Sequence, residues 1–262
     1  MKRDWLIQLR KSKQLTQKKV ADRAIIDRAY YAQIETGVRN PSFSVAINIA
    51  KVLEFDPVFF FQDILHHRMP HPPAQEIARH FSMTESGNIL YLYHDLDRYL
   101  HHAVTFLITG MAKGSHTVLI DNHENLSRLK QKLDAIIHGE DHTIVYLHNE
   151  KTTLQEWGRQ LDELRARLDP DKPLRVWLHE EQEDEHDLVQ HLQNTLEFDQ
   201  AYSQKMFSVT VLNASTVSAA FHIELMRKYP YLMTDLEIVY SPLYHSTDNS
   251  IIFPSLSQQE KL

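Results

Sequence analysis

The chain has 262 residues, of which 42% are apolar and none is cysteine. It is therefore long enough for two ordinary domains, and it has neither disulfides nor thiolate metal sites. The formal net charge of −7 argues against a general polyanion binder. We expect no signal peptide and no membrane span, and a reducing cytoplasm fits the lack of cysteine.

Charge is distributed unevenly along the chain. Residues 1–56 contain 11 Lys and Arg against 6 Asp and Glu, a net charge of +5, whereas the remainder carries −12. A small basic unit joined to a larger acidic one indicates two separate tasks.

Residues 16–37 read TQKKVADRAIIDRAYYAQIETG and predict two capped helices in succession. Thr16 is placed to cap a helix that starts at Gln17, and Asp27 to cap the next one from Arg28, because both side chains can accept from first-turn amides. Gly37 fits the left-handed residue that ends the second helix.

The apolar spacing in these helices separates a buried face from an exposed one. Val20, Ala21 and Ala24 should be buried in the first helix, and Tyr31 and Ile34 in the second. The exposed face of the second helix then consists of Arg28, Ala29, Ala32 and Gln33.

A segment with three prolines in four positions, Pro70 to Pro73, separates two patterns, since proline excludes both helix interiors and central strands. We therefore place a linker at residues 66–75, after a helical domain over 1–65. An α/β domain over 76–245 and a tail over 246–262 complete the predicted organisation.

Short apolar runs alternate with amphipathic helices after the linker. This alternation predicts a mainly parallel sheet flanked by helices. The predicted strands are Ile89–Tyr93, Thr117–Ile120, Thr143–Leu147, Leu174–Leu178, Val209–Leu212 and Leu236–Tyr240. The helical stripes are Leu126, Leu129, Leu133 and Ile136, and then Leu154, Trp157, Leu161, Leu164 and Leu168.

The segments LTQKKVADRA, DRAYYAQIETGVRNPS and AINIAKVLEFD resemble the Cro/cI-repressor (XRE) family of helix-turn-helix regulators, over roughly residues 5–61. This resemblance implies an all-α, lambda-repressor-like domain. Ile25 departs from the pattern, since the family usually has glycine in the turn between the two helices. A β-branched residue disfavours positive φ, so we expect this turn to be reshaped.

The resemblance also implies how the domain binds DNA, with the second helix in the major groove. Arg28 then pairs with guanine, Gln33 with adenine, and Ala29 contacts a thymine methyl. Arg10 and Glu35 lie where related repressors have a structural ion pair. The implied phosphate contacts are Gln17, Lys18, Arg39 and Asn40. The implied assembly is a homodimer on a palindromic operator.

A later stretch, GNILYLYHDLDRYLHHAVTFLITGMAKGSHTVLID, resembles the opening of the MEDS sensory domain. The resemblance implies a RecA-like α/β fold that senses small molecules without a working nucleotide loop. In agreement with this, none of the six glycines is followed by lysine, so the core of a Walker A loop is absent.

Polar residues follow the predicted strands, at the edge where open parallel sheets bind ligands. We expect an effector pocket there, formed by His94, Asp121, His123, His148, His179 and Asn213. The alternative is that these loops are polar only because they lie at the surface and cap helices. The 17 histidines are dispersed without a spaced ligand pair, so we expect no metal and no cofactor.

These observations predict a DNA-binding transcriptional regulator, a repressor, whose α/β domain dimerises, senses an effector, or both. No nucleophile, base and anion-stabilising groups are assembled in the sequence, so an enzyme is not expected. Two alternatives stay open: a regulator whose α/β domain docks a partner protein, and an enzyme tethered to DNA.

Overall fold

The computed structural model describes residues 3–61, 74–134, 136, 144–148, 159–160, 163–164, 166, 168–169, 171–180 and 206–244. The predicted linker lies outside these residues except for Ala74 and Gln75, which begin a helix. The predicted tail, 246–262, and most of the stripe from Leu154 to Leu168 also lie outside them.

The N-terminal part is helical, with starts set by short polar side chains. Thr16 accepts from the Lys19 amide at 3.2 Å, and Asp27 accepts from the Ala29 amide at 2.6 Å and the Tyr30 amide at 3.3 Å. The helices are α1 (Asp4–Ser12), α2 (Gln17–Ala24), α3 (Arg28–Thr36) and α4 (Phe43–Leu53), followed by a 3-10 turn at Pro57–Phe60.

Apolar burial holds these helices together. The indole of Trp5 packs between the rings of Phe55, Phe59 and Phe60, with centroids 5.2 to 5.9 Å apart. The side chains that meet at the centre of the bundle are fully buried: Leu6, Val20, Ala21, Ala24, Tyr31, Ile34, Ala46, Ile49 and Leu53.

The turn between α2 and α3 keeps the geometry that glycine would favour. Ile25 has φ 57° and ψ 46°, in the left-handed region, and its side chain is 86% exposed. The expectation that isoleucine would reshape this turn was therefore wrong. The Ile26 amide still donates a hydrogen bond to the Ala21 carbonyl at 3.0 Å, although the left-handed backbone at Ile25 is unfavourable for isoleucine.

The second part is an α/β domain with one seven-stranded sheet in the described residues. The strand order is β3-β2-β4-β5-β1-β6-β7, and all neighbours are parallel except the antiparallel pair β6–β7. Its elements are α5 (Ala74–Met83), β1 (Gly87–Tyr93), α6 (Leu96–Ala112), β2 (His116–Asp121), α7 (His123–Asp134), β3 (Ile144–His148), β4 (Leu174–Glu180), β5 (Met206–Asn213), α8 (Ala219–Lys228), β6 (Tyr231–Met233) and β7 (Ile238–Tyr240).

The predicted fold class is confirmed. Each of the six predicted strands corresponds to a strand of the sheet, with ends shifted by no more than three residues. The short strand β6 was not predicted, since three residues are too few to show alternation.

Helix α6 is the central support of the sheet, and it is buried from Tyr99 to Met111. A Cβ atom on Gly110 would lie 2.7 Å from Thr117 Oγ1 and 2.9 Å from Arg175 Cδ, so only glycine fits there without a shift. The Arg175 side chain passes through this gap and donates to the Phe81 carbonyl at 2.5 Å. It thereby ties strand β4 to the end of helix α5.

The helical part and the α/β domain are in direct contact. Ser82 of α5 donates a hydrogen bond to Asp56, just ahead of the 3-10 turn. The apolar cluster is also continuous, from Leu6 in α1 through Phe60 and Phe81 to Val211 in β5. Within the described residues, no helix has the length and apolarity needed to cross a membrane.

Ile25→Gly should raise the free energy of unfolding by about 1 kcal/mol. The left-handed conformation costs isoleucine about 1–2 kcal/mol, and the greater chain entropy that glycine loses on folding offsets part of the gain. Ile25→Ala is the control, since alanine keeps the unfavourable backbone. Urea unfolding followed by circular dichroism measures both; equal stability of the two variants contradicts the role of the backbone.

Candidate nucleic-acid interface

Helix α3 presents one exposed face along its first two turns. Arg28, Ala29 and Gln33 are exposed, and Ala32 beside them is half-buried. Tyr31 and Ile34 on the opposite face are fully buried against the other helices. The exposed face therefore carries a guanidinium, a methyl group and an amide, groups that can contact base edges.

The buried face of α3 is held by a carboxylate. Glu35 is 1% exposed, and Arg10 of α1 donates to it from Nε at 2.5 Å and from Nη2 at 3.3 Å. Gln17, the first residue of α2, donates from Nε2 to Glu35 Oε2 at 2.8 Å. One carboxylate thus connects three helices.

The hydrogen bonds at Glu35 decide its charge. Burial raises the pKa of the Glu35 carboxyl, but the hydrogen bonds from Arg10 and Gln17 outweigh burial and hold its pKa below the ordinary value. The Glu35 hydrogen bond also raises the pKa of Arg10, against the opposing effect of burial. Both groups are therefore charged near neutral pH.

The two amides of Gln17 lie in different surroundings. Its side-chain amide is directed inward to Glu35. The backbone amide of Gln17 stays at the start of α2, where helix amides have no intrahelical partner. Lys18 beside it is exposed.

The loop after α3 is organised by Arg3, a residue that sequence reasoning missed. Its Nη1 donates to the Ile34 carbonyl at 2.8 Å and to the Arg39 carbonyl at 3.2 Å, and its Nη2 donates to Asn40 Oδ1. Arg3 therefore connects the last turn of α3 with the loop that follows it. No spacing in the sequence points to this contact.

Arg39 and Asn40 keep donors directed to solvent. The Arg39 guanidinium lies over the Tyr30 ring, 4.6 Å from its centroid, and the residue is exposed. Asn40 is also exposed, and its side-chain oxygen accepts from Arg3. Its amide nitrogen therefore remains the atom with which it can donate to a phosphate.

In the described part of the chain, the six residues of the predicted effector pocket lie in three groups. Asp121 and His179 are buried, with His179 Nδ1 2.8 Å from Asp121 Oδ1. His123 and His148 are exposed and their rings stack at 5.5 Å. His94 and Asn213 lie at a third place, where both contact Ser215.

The buried pair Asp121–His179 belongs to a network inside the α/β domain. Tyr99 of α6 donates to Asp121, and the Tyr93 hydroxyl lies 3.2 Å from His179 Nε2. Burial first, and then the Asp121 charge, raise the pKa of the Tyr99 hydroxyl well above its ordinary value. The network connects the ends of β1, β2 and β4 with α6.

In the loop between β1 and α6, carboxylates accept hydrogen bonds from the backbone amides. Asp235 accepts from the amides of His94 at 3.1 Å and Asp95 at 3.0 Å, and from the Tyr91 hydroxyl at 2.6 Å. Asp95 in turn caps α6 by accepting from the Arg98 amide at 2.9 Å. The part of the chain that the structure describes contains no group of three or more His, Asp or Glu arranged to hold a metal.

The ion pair between Arg10 and Glu35 predicts the effect of Glu35→Gln. The change should lower the free energy of unfolding at pH 7 by about 2 kcal/mol, because it leaves the half-buried Arg10 without its counter-ion. The folded-state pKa of Glu35 lies below 4.5, so its stabilisation is complete above that pH and is lost as the pH falls through the folded pKa. The two proteins should therefore converge in acid.

The matched control is Glu54→Gln, which removes an exposed carboxylate 2.6 Å from Lys13. Exposed pairs contribute little, so this variant should unfold almost as the parent does. Urea unfolding between pH 3 and 7 measures all three proteins. A difference between the parent and Glu35→Gln that does not change with pH contradicts the ion pair.

Comparison with known proteins bears on this same N-terminal part. A family model described as helix-turn-helix matches residues 6–60. The uncharacterized HTH-type transcriptional regulator YqaF of Bacillus subtilis (strain 168) is 47% identical over 64 residues, which are 24% of this chain and 84% of the relative. The residues that the family model matches lie outside the α/β domain. Through its N-terminal domain, the chain belongs to the family of HTH-type transcriptional regulators.

Proposed function

We propose that the protein is a sequence-specific DNA-binding transcriptional regulator that acts as a repressor. It binds a palindromic operator as a homodimer, and its α/β domain senses a small effector, contributes to dimerisation, or both. The observation that carries the proposal is the face of α3 on which Arg28, Ala29 and Gln33 are exposed in the described part of the chain, with cations beside it.

In this proposal α3 enters the major groove. Arg28 makes a bidentate contact with guanine and Gln33 with adenine, while Ala29 packs on a thymine methyl. The fixed orientation of α3, through Glu35 and the Asp27 cap, supports readout because base contacts require a positioned helix.

Phosphate contacts surround the helix. The Gln17 backbone amide and the Lys18 ammonium lie at the start of α2, and Arg39 and Asn40 lie in the loop after α3. The net charge of +5 over residues 1–56 supports this assignment, since phosphate contacts supply most of the non-specific affinity.

A homodimer follows from the small size of one such unit. A single helix-turn-helix offers few base contacts, whereas two units on a two-fold axis read two half-sites about one helical turn apart. A dimer bound over a promoter excludes the transcription machinery, which is the repressor activity proposed here. We expect it to act in the cytoplasm, where bacterial-type operators are found.

We propose that the α/β domain is a MEDS-like sensory unit and is not an enzyme. Support comes from the loop between β1 and α6, where the Asp235 carboxylate occupies the amides that a phosphate would need. The nearby Asp95 and Asp97 would also repel a phosphate at this helix start.

One observation favours a second candidate, a regulator whose α/β domain docks a partner protein. Apolar side chains are exposed beside the β6–β7 end of the sheet. They are Tyr231, Leu236, Val239 and Tyr240, with 37 to 59% of each exposed. Native mass spectrometry of the purified assembly discriminates the candidates. A homodimer has twice the mass of the chain, whereas a complex with a partner protein has the chain mass plus that of the partner.

Two substitutions test the DNA contacts on an operator selected from a random pool. Arg28→Ala should cost about 1–3 kcal/mol on that operator and relax base preference at one position of each half-site. Arg39→Ala should weaken binding to all sequences alike and reduce the slope of log affinity against log salt by about 1 per subunit.

Arg128→Ala is the control, since it removes an exposed guanidinium from α7 of the α/β domain. Fluorescence anisotropy across a salt series measures all variants. If Arg28→Ala and Arg39→Ala behave as Arg128→Ala does, the docking orientation is wrong.

A further inference from the structure

A cavity of about 680 Å³ lies between the helical part and the α/β domain. Ile47, Ala50, Phe55 and Phe59 form its wall on the helical side, and Ala78 of α5 and Ala112 of α6 form the opposite wall. Small-molecule sites in proteins have volumes of about 300–1,000 Å³ and mainly apolar walls. This cavity matches both properties.

Charged side chains also line the cavity, and the carboxylates among them differ from the cations in the partners that they have. The two carboxylates have partners: Glu54 accepts from Lys13 at 2.6 Å, and Asp56 accepts from Ser82. Lys51 and Arg79 are exposed cations for which the described residues show no carboxylate partner. Together with Lys113, three cations and two carboxylates line the cavity, so positive charge is in excess there by one.

A third cation, Lys113 at the end of α6, lines the same cavity. Its Nζ donates to the Thr84 carbonyl at 3.1 Å, which leaves other protons of the ammonium for a ligand. Burial, and then the nearby charge of Arg175, lower the pKa of Lys113. An anion bound beside Lys113 would offset both effects.

We propose that this cavity binds an amphipathic monoanion, a carboxylate on an apolar body, with the body between the phenylalanine and alanine walls and the carboxylate against Lys51 and Arg79. The apolar walls reject small inorganic anions because these stay better hydrated in water. The unpaired cations favour an acid over the corresponding alcohol.

The place of the cavity gives the ligand a regulatory consequence, which rests on the proposed function. One wall belongs to α4 and the turn after it, and the other belongs to α5 and α6. A ligand that contacts both walls changes the balance between arrangements of the two parts if it binds one arrangement more tightly. Helix α2 contacts both α3 and α4, so the orientation of α3 is coupled to the α4 wall, and DNA affinity then depends on the ligand.

Decanoate is the probe, with decanol as its uncharged counterpart, and titration calorimetry on the full chain measures binding without DNA. Wild-type protein should bind decanoate saturably. The variant Lys51→Met/Arg79→Met should bind decanoate about tenfold more weakly and decanol within about twofold of wild type.

The matched control is Lys132→Met/Lys172→Met, which removes two cations of the α/β domain that do not line the cavity. It should bind decanoate as wild type does. No saturable binding of decanoate to wild type, or equal weakening in both double variants, overturns the site.

Operator affinity is then measured on the same samples with and without saturating decanoate. The regulatory consequence is supported if decanoate changes the operator affinity of wild type and does not change that of Lys51→Met/Arg79→Met. Unchanged affinity in spite of saturated binding overturns the coupling while the binding site stands. Absence of DNA binding under all conditions contradicts the proposed function and leaves the calorimetric result unaffected.

Discussion

Glu35 accepts hydrogen bonds from Arg10 of α1 and Gln17 of α2 while its own backbone belongs to α3. Its backbone carbonyl accepts a further bond from the Arg3 amide at 2.9 Å. A buried carboxylate without partners is costly, so any movement of α3 away from α1 or α2 exposes that cost. The interaction therefore fixes the direction of the helix whose other face meets solvent.

This constraint gives the two faces of α3 different roles. One face is anchored by Tyr31, Ile34 and Glu35, and Arg3 holds the loop that follows. The other face exposes Arg28 and Ala29 to solvent, and the Asp27 cap keeps the first turn intact. A helix held in this way loses little conformational freedom when it enters a groove, which favours affinity and selectivity together.

Local rules predicted the elements well because each element has a local cause. The caps Thr16 and Asp27, the left-handed Gly37 and the apolar strand runs are all visible within a few residues. Ile25 shows the limit, since the packing of α2 against α3 outweighs the preference of one side chain. Tertiary contacts such as those of Arg3 leave no trace in spacing, and so the organisation of the loop after α3 was missed.

The candidate effector pocket shows a second limit. Strand ends converge at one edge of a sheet, but side chains there alternate between faces. Asp121 and His179 face α6 and join Tyr99 and Tyr93 in a buried network, whereas His123 and His148 stay at the surface. The cavity between the two parts could not be predicted either, because its walls come from helices far apart in the chain.

The central claim is that α3 occupies the major groove of an operator. Dimethyl sulfate footprinting of the selected operator tests it most directly, because this reagent methylates guanine N7 in the major groove and adenine N3 in the minor groove. The account predicts protected guanine N7 atoms in two half-sites with centres about 10 base pairs apart. Protection confined to adenine N3, with guanine N7 fully reactive in the bound complex, would contradict it.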